Sequence, residues 1–322
     1  MLPEKTKLAI CFAHIAYGLQ DRFAARGTGI RSFQAWSRDE LVARLPEAEV
    51  LVISGLWRND LLGAAPKLRF IQSVGAGTDQ FDRELLAKRG VRLASAKGVN
   101  ERAVSEHAMG LILALTRKLP EARDNQAKRV FRGMIGKIDQ REDELAGKTL
   151  LIIGLGGIGR RLANLAGAFE MRVIGVRRDP KSGANGADEV HGLEALKSLL
   201  PNADVVALTC PLTPQTEKII NAEALALMKP AALLVNVARG RCIDEEAIVA
   251  ALEKEVIAAS ALDVFVEEPL PPSSPLWTAK NVFITPHTAG ETRRYEENVI
   301  DVLLDNLDRL RRGEKELRNQ VV

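Results

Sequence analysis

The chain has 322 residues, 46% hydrophobic and 27% charged, enough for two domains with buried cores and too apolar for a disordered chain. Its 45 Lys and Arg against 42 Asp and Glu leave a formal charge of +3, too even a balance for a nucleic-acid-binding or membrane-surface protein. Three widely spaced cysteines, Cys11, Cys210 and Cys242, match neither a disulfide framework nor a metal-ligand pattern, and fit a reducing compartment. The first residues carry Glu4, Lys5 and Lys7 without a cleavage signal, and no apolar run approaches the roughly 18 residues of a membrane span; a soluble, cytoplasmic protein is expected.

In chain order, residues 7–12, 50–54 and 69–72 read as strands, with a helix at 38–45 between the first two. A longer helix over 101–118 is apolar around most of its surface. Residues 121–148 are polar and charged; they read as an exposed arm that packs on a second subunit, or equally as an ordinary surface connection. Further strands are expected at 149–153, 172–176, 204–208, 232–236, 257–262 and 282–284, with helices at 157–169, 193–200, 222–227 and 244–253 between them. Residues 267–275, with Pro269, Pro271, Pro272 and Pro275, read as a stiff connection. A last helix over 292–311 aligns Tyr295, Val299, Ile300, Leu303, Leu304, Leu307 and Leu310 in one apolar stripe. The strands are nearly continuous in Val, Ile, Leu and Ala, and they alternate with helices. That pattern predicts parallel sheets covered on both faces.

One strand runs straight into Gly154-Leu155-Gly156-Gly157-Ile158-Gly159 and then a helix. In this setting Gly154 permits the tight turn, Gly156 admits a pyrophosphate to the backbone, and Gly159 lets helix and strand pack closely. The helix N-terminus offers free amides to phosphate. The fold class expected is α/β with two doubly wound domains. A Rossmann-type dinucleotide-binding domain at 100–289 is inserted in a smaller flavodoxin-like, substrate-binding domain made of 1–99 and 290–322, with a cleft between them. The strand after the glycine loop ends in Arg177 and Arg178, where an NAD site usually has a carboxylate for the ribose hydroxyls. A guanidinium there grips a 2′-phosphate, so NADP is the expected cofactor. NAD stays open, with the arginines in solvent or stacked on adenine and Asp179 as a displaced ribose ligand.

Three further segments bring polar groups to strand ends: Asn236-Val237-Ala238-Arg239-Gly240, then Asp263 through Glu267, Glu268 and Pro269, then Thr285-Pro286-His287-Thr288-Ala289-Gly290. Taken singly, Arg239 reads as a surface ion pair, Glu268 as a solvated acid and His287 as a buried structural histidine. Taken together with the glycine loop they carry a resemblance. The chain resembles the D-isomer-specific 2-hydroxyacid dehydrogenase family, glyoxylate/hydroxypyruvate reductases included. The resemblance runs through SVGAGTD at 73–79, NERAVSEHAMGLIL at 100–113, the GLGGIG loop, CPLTPQT at 210–216, the block 228–244, the ALDVF and EEPLP stretches, and PHTAG.

That resemblance implies an NAD(P)-dependent oxidoreductase that moves hydride between nicotinamide and the second carbon of a small 2-keto or 2-hydroxy acid. The family's catalytic Arg, Glu and His fall on Arg239, Glu268 and His287, Glu268 being the acid directly before the proline. An arginine fork suits a carboxylate and a keto oxygen, and a histidine titrates near neutral pH. Val74, Gly75 and Ala76 fall on the substrate-carboxylate loop, with Arg239 as their partner in substrate binding. Gly154, Gly156, Gly157, Ile158, Gly159, Arg177, Arg178, Cys210, Pro211, Val237, Ala238, Asp263, His287 and Gly290 fall along the cofactor, Cys210 by its backbone and not as a nucleophile.

The resemblance also implies a homodimer joined around 101–148. Formate and phosphite dehydrogenases share the fold, and dinucleotide-sensing corepressors keep the same three residues as a binding scaffold; the short C-terminus favours the enzyme. Leu56, Trp57 and Trp277 read either as substrate-pocket walls or as core. His14, His107 and His191 read as structural, and no metal set, nucleic-acid partner or membrane partner is expected.

Overall fold

A computed structural model describes residues 3–322, with Asp139 described by its backbone alone. The chain begins with β1 (Ala9–Ala13), α1 (Leu19–Ala24), β2 (Arg31–Ala35), α2 (Arg38–Arg44), β3 (Val50–Ile53), β4 (Phe70–Ser73), α3 (Arg83–Lys88) and β5 (Arg92–Ala94). It continues through α4 (Glu101–Thr116), α5 (Leu119–Ala127), β6 (Thr149–Ile153), α6 (Gly157–Ala168), β7 (Arg172–Val176), β8 (Glu189–His191), α7 (Leu196–Leu199) and β9 (Val205–Leu208). Then come α8 (Ala222–Leu227), β10 (Leu233–Asn236), α9 (Glu245–Glu253), β11 (Ala259–Leu262), β12 (Val282–Ile284) and α10 (Tyr295–Arg311). Side chains of Ser37, Asp82, Asn221 and Asp244 cap α2, α3, α8 and α9 by accepting an amide three residues on.

These elements form two compact units, one holding residues up to Asn100 together with Thr292–Val322, the other Glu101–Glu291. Among the described residues the first unit has a parallel sheet in the order β2-β1-β3-β4-β5, the flavodoxin-like winding. Alternation along β3 sends Val50 and Val52 into a core with α1 and α10, and Leu51 and Ile53 into a core with α2 and Trp57. Buried Asn306 of α10 donates to Gln72 Oε1 at 2.9 Å, and Arg26 pairs with Glu297 and Asp301 at 2.6 and 2.8 Å. The last residues run antiparallel to β5: Val321 N donates to Leu93 O at 2.7 Å and Ser95 N to Asn319 O at 2.9 Å. They cover an edge that would otherwise template pairing.

The second unit has a parallel sheet in the order β12-β11-β10-β9-β6-β7-β8. The strand order reverses between β6 and β9, the point at which open α/β sheets bind ligands. One face packs against α4 and α6 through Val104, Ala108, Ile112, Leu162 and Ala166. The other is closed by Leu225, Ile248 and Leu252 of α8 and α9.

Three strands, β2, β5 and β8, have no counterpart among the sequence expectations. β2 and β8 are part-exposed sheet edges, and β5 is 3 residues long, so none presents a continuous apolar run. The segment expected as a polar arm begins with α5, and beyond it Val130, Phe131, Met134 and Ile138 are exposed. Trp57 is core: it is fully buried against Phe81, and its indole N–H donates to Asn59 Oδ1 at 2.9 Å. Trp277 is 53% exposed and ties down Pro271 O at 2.9 Å. No helix among the described residues is long and apolar enough to cross a membrane.

Candidate functional site

The glycine loop stands at the switch point. Gly154 has φ +106°, a left-handed conformation that side chains rarely adopt. A Cβ there would run into the backbone of Cys210, just past β9. A Cβ on Gly159 would collide with the Gly154 carbonyl, which accepts the Thr209 hydroxyl at 2.6 Å. Among the described residues the amides of Gly157, Ile158 and Gly159 donate no hydrogen bond. Open amides, a helix dipole and glycines at 154, 156, 157 and 159 make a cradle that fits a pyrophosphate.

At the end of β7, Arg177 Nη1 lies 3.5 Å from the carbonyls of Ser182 and Gly183. Arg178 is exposed. Asp179 is occupied locally: Ser182 Oγ donates to it at 2.6 Å and Lys181 N at 3.1 Å. Those bonds, with the nearby Arg177 and Arg178 charges, hold its carboxyl below the usual carboxylate range.

Three other strand ends supply the polar cluster. Beyond β10, Asn236 shapes the turn: its Nδ2 donates to Arg239 O at 2.9 Å and its Oδ1 accepts Ala238 N at 3.0 Å. The Arg239 guanidinium donates to Ala238 O at 2.6 Å. Beyond β11, Asp263 is 1% exposed and accepts Thr285 Oγ1 at 2.6 Å, Thr288 N at 3.0 Å and Ala289 N at 3.1 Å. It thereby pins the segment beyond β12 that carries His287, itself at φ +55°.

Glu268 and His287 meet here, with His287 Nδ1 2.6 Å from Glu268 Oε2. Glu268 Oε1 accepts the Phe265 amide at 2.9 Å. Burial works against the Glu268 charge, but the bonds from His287 and Phe265, with the His287 and Arg239 charges, outweigh it and hold the carboxyl below its usual range. The Glu268 hydrogen bond raises the His287 pKa; burial and Arg239 oppose the rise, and the Glu268 and Asp263 charges reinforce it. The result is an acid held ionised beside an imidazole that keeps its proton to higher pH, with a guanidinium near both.

The profile of the D-isomer specific 2-hydroxyacid dehydrogenase NAD-binding domain matches residues 109–289. A glyoxylate/hydroxypyruvate reductase B of Yersinia pestis is 36% identical over 305 residues, covering 92% of each chain. The chain belongs to the D-isomer specific 2-hydroxyacid dehydrogenase family. It is thus an oxidoreductase of the CH–OH group with a nicotinamide-dinucleotide-binding domain. D-3-phosphoglycerate dehydrogenase of Methanocaldococcus jannaschii is 36% identical over 287 residues, 86% of this chain and 52% of that one; the chain spans about half the length of that relative. Among solved structures, the NADPH-dependent glyoxylate/hydroxypyruvate reductase of Sinorhizobium meliloti, in complex with NADP and malonate, matches with a TM-score of 0.81 at 26% identity, covering 98% of this chain and 97% of that one.

Within the frame of a 2-hydroxyacid dehydrogenase, the structure brings Arg239, Glu268 and His287 together. It sets Cys210, Pro211, Val237 and Ala238 at the ends of β9 and β10. Contact with Cys242 and burial push the Cys210 thiol far up. Gly290 follows the Asp263-bound Ala289 directly. In the first unit, Val74 is buried, its carbonyl accepts the Tyr295 hydroxyl at 2.8 Å, and the amides of Gly75 and Ala76 donate no hydrogen bond among the described residues.

His107, read as structural, is connected to the site: its Nε2 lies 3.0 Å from Thr285 Oγ1 and 3.5 Å from Asp263 Oδ1. Only its place in the apolar helix α4 could have hinted at this. Among the described residues no cluster of His, Cys, Asp and Glu could hold a metal ion.

Proposed function

We propose that this chain reduces a small 2-keto acid to the D-2-hydroxy acid, and runs the reverse oxidation, with NADP(H) favoured over NAD(H). The observation that carries the reading is the 2.6 Å contact between His287 and Glu268 in a dinucleotide-binding domain. The bound dinucleotide supplies the hydride. Arg239 anchors the substrate carboxylate and polarises the keto oxygen with its planar fork. Charge builds on that oxygen as the carbonyl is reduced, and His287 delivers a proton to it from Nε2, since Nδ1 is held by Glu268. In the oxidation, neutral His287 takes the hydroxyl proton.

The unit that ends at Val322 is assigned to substrate binding, with Val74, Gly75 and Ala76 offering backbone to the carboxylate. Gly154, Gly156, Gly157, Ile158 and Gly159 are assigned to the pyrophosphate, and Cys210, Pro211, Val237, Ala238, Asp263 and Gly290 to the rest of the cofactor. Arg177 and Arg178, with Asp179 already occupied by Ser182 and Lys181, support the NADP preference. Glyoxylate and hydroxypyruvate are the first substrates to try, given the names of relatives covering 92% of both chains. Exposed Phe131, Met134 and Ile138 support the 101–148 region as the face of a homodimer. Buried free thiols at Cys11, Cys210 and Cys242 suit the cytoplasm.

The test is oxidation of NADPH and of NADH by the purified protein with glyoxylate, hydroxypyruvate, pyruvate and phenylpyruvate. Turnover with at least one acid, faster with NADPH at low cofactor, is expected. A preference for NADH overturns the cofactor assignment, and no turnover with any pair overturns the reaction.

A further inference from the structure

The GxGxxG pattern asks nothing of position 157, yet this chain has glycine there. Packing explains it. A Cβ on Gly157 would fall inside the carboxylate of Glu101, the first residue of α4. The Glu101 carboxylate therefore rests on the first residue of α6, beside the open amides of the phosphate cradle. It makes no hydrogen bond or ion pair among the described residues. Two helix N-termini, those of α4 and α6, surround it with partial positive charge.

We propose that Glu101 sets the affinity for the dinucleotide. Its carboxylate repels the pyrophosphate that binds to the same amides. The cofactor then binds more weakly, and leaves faster, than the glycine loop by itself would allow. This suits an enzyme in which product release limits turnover. The proposal rests on residues 154–159 being the pyrophosphate cradle.

Glu101→Gln keeps the shape of the side chain and removes its charge. Calorimetry at low salt would give Kd values for ADP-ribose, which carries the pyrophosphate, and for adenosine 2′-monophosphate, which does not. The variant is expected to bind ADP-ribose about five- to tenfold more tightly and to release NADP more slowly in stopped-flow fluorescence, with adenosine 2′-monophosphate unchanged. The gain should shrink in high salt. Glu101→Asp, with its charge retained, should stay close to the parent. Equal ADP-ribose affinities overturn the proposal and leave the cradle in place, and so does equal tightening of both ligands. No ADP-ribose binding by parent or variant overturns the cradle, and the role of Glu101 with it.

Discussion

Gly240 lies so close to the carbonyl of Phe265 that a Cβ at this position would overlap the peptide group joining Phe265 to Val266. The contact locks two loops together, because Arg239 precedes the glycine and the Phe265 amide holds Glu268. Gly240→Ala must push these backbones apart. Urea unfolding should show a loss of about 1–3 kcal/mol, and kcat should fall more than KM for cofactor rises, since Arg239 and Glu268 move relative to each other.

Glu268→Gln removes the anion that keeps His287 protonated. In the proposed keto-acid reduction His287 is needed charged, so activity is expected below its pKa and lost above it. The alkaline limb of the kcat/KM profile should therefore move to lower pH in the variant. An unmoved limb would remove His287 as the proton donor.

The same pair ties stability to pH. His287 is raised above its ordinary 6.5, so its contribution is complete below 6.5 and lost as pH rises through the raised value. Glu268 is lowered below its ordinary 4.5, so its contribution is complete above 4.5 and lost as pH falls through the lowered value. The stability difference between the parent and Glu268→Gln should be largest between those two ordinary values. Both side chains are part-exposed, so the difference should be about 1 kcal/mol or less.

Asp263 holds the His287 segment by accepting two of its amides and the Thr285 hydroxyl inside the protein. Asp263→Ala leaves the Thr288 and Ala289 amides without their acceptor, while the Thr285 hydroxyl keeps His107 Nε2. A loss of about 2–4 kcal/mol in chemical unfolding is expected, with turnover reduced even where the protein stays folded. Asp263→Asn, which keeps one acceptor oxygen, should fall between the two.

Replacing Arg177 and Arg178 together by Ala should raise the KM for NADPH about tenfold or more, because the 2′-phosphate loses charge-assisted bonds. The KM for NADH should change little. Equal effects on both cofactors would show that the arginines do not read the 2′-phosphate.

Phe131→Ser with Met134→Ser removes exposed apolar surface without touching either core. Light scattering of the parent should give a dimer, and the double variant should dissociate at higher concentration. A monomeric parent would remove the arm as an interface.

Much of the fold was legible from continuous apolar runs: β6, β7 and β12 follow those at 149–153, 172–176 and 282–284 residue for residue. The edge strands β2 and β8 were not legible, because each carries only half an apolar pattern. Of the site, the glycine loop and the residues at the ends of β10, β11 and β12 stood out because glycine and charged residues interrupt apolar strands. The partners that position them did not. His107 sits in an apolar helix, and Glu101 reads as an ordinary first-turn acid.

The sequence by itself determined the alternation of strand and helix, the place of the glycine loop, and which side chains are the candidates for the chemistry, because these depend on local pattern and on residue type. Only the tertiary structure decided that Trp57 is core, that His107 reaches Thr285, that Gly240 must lack a side chain, and that Glu101 lies on Gly157. Each of these depends on residues far apart in the chain being brought within a few ångströms of one another, and no local pattern encodes such distances.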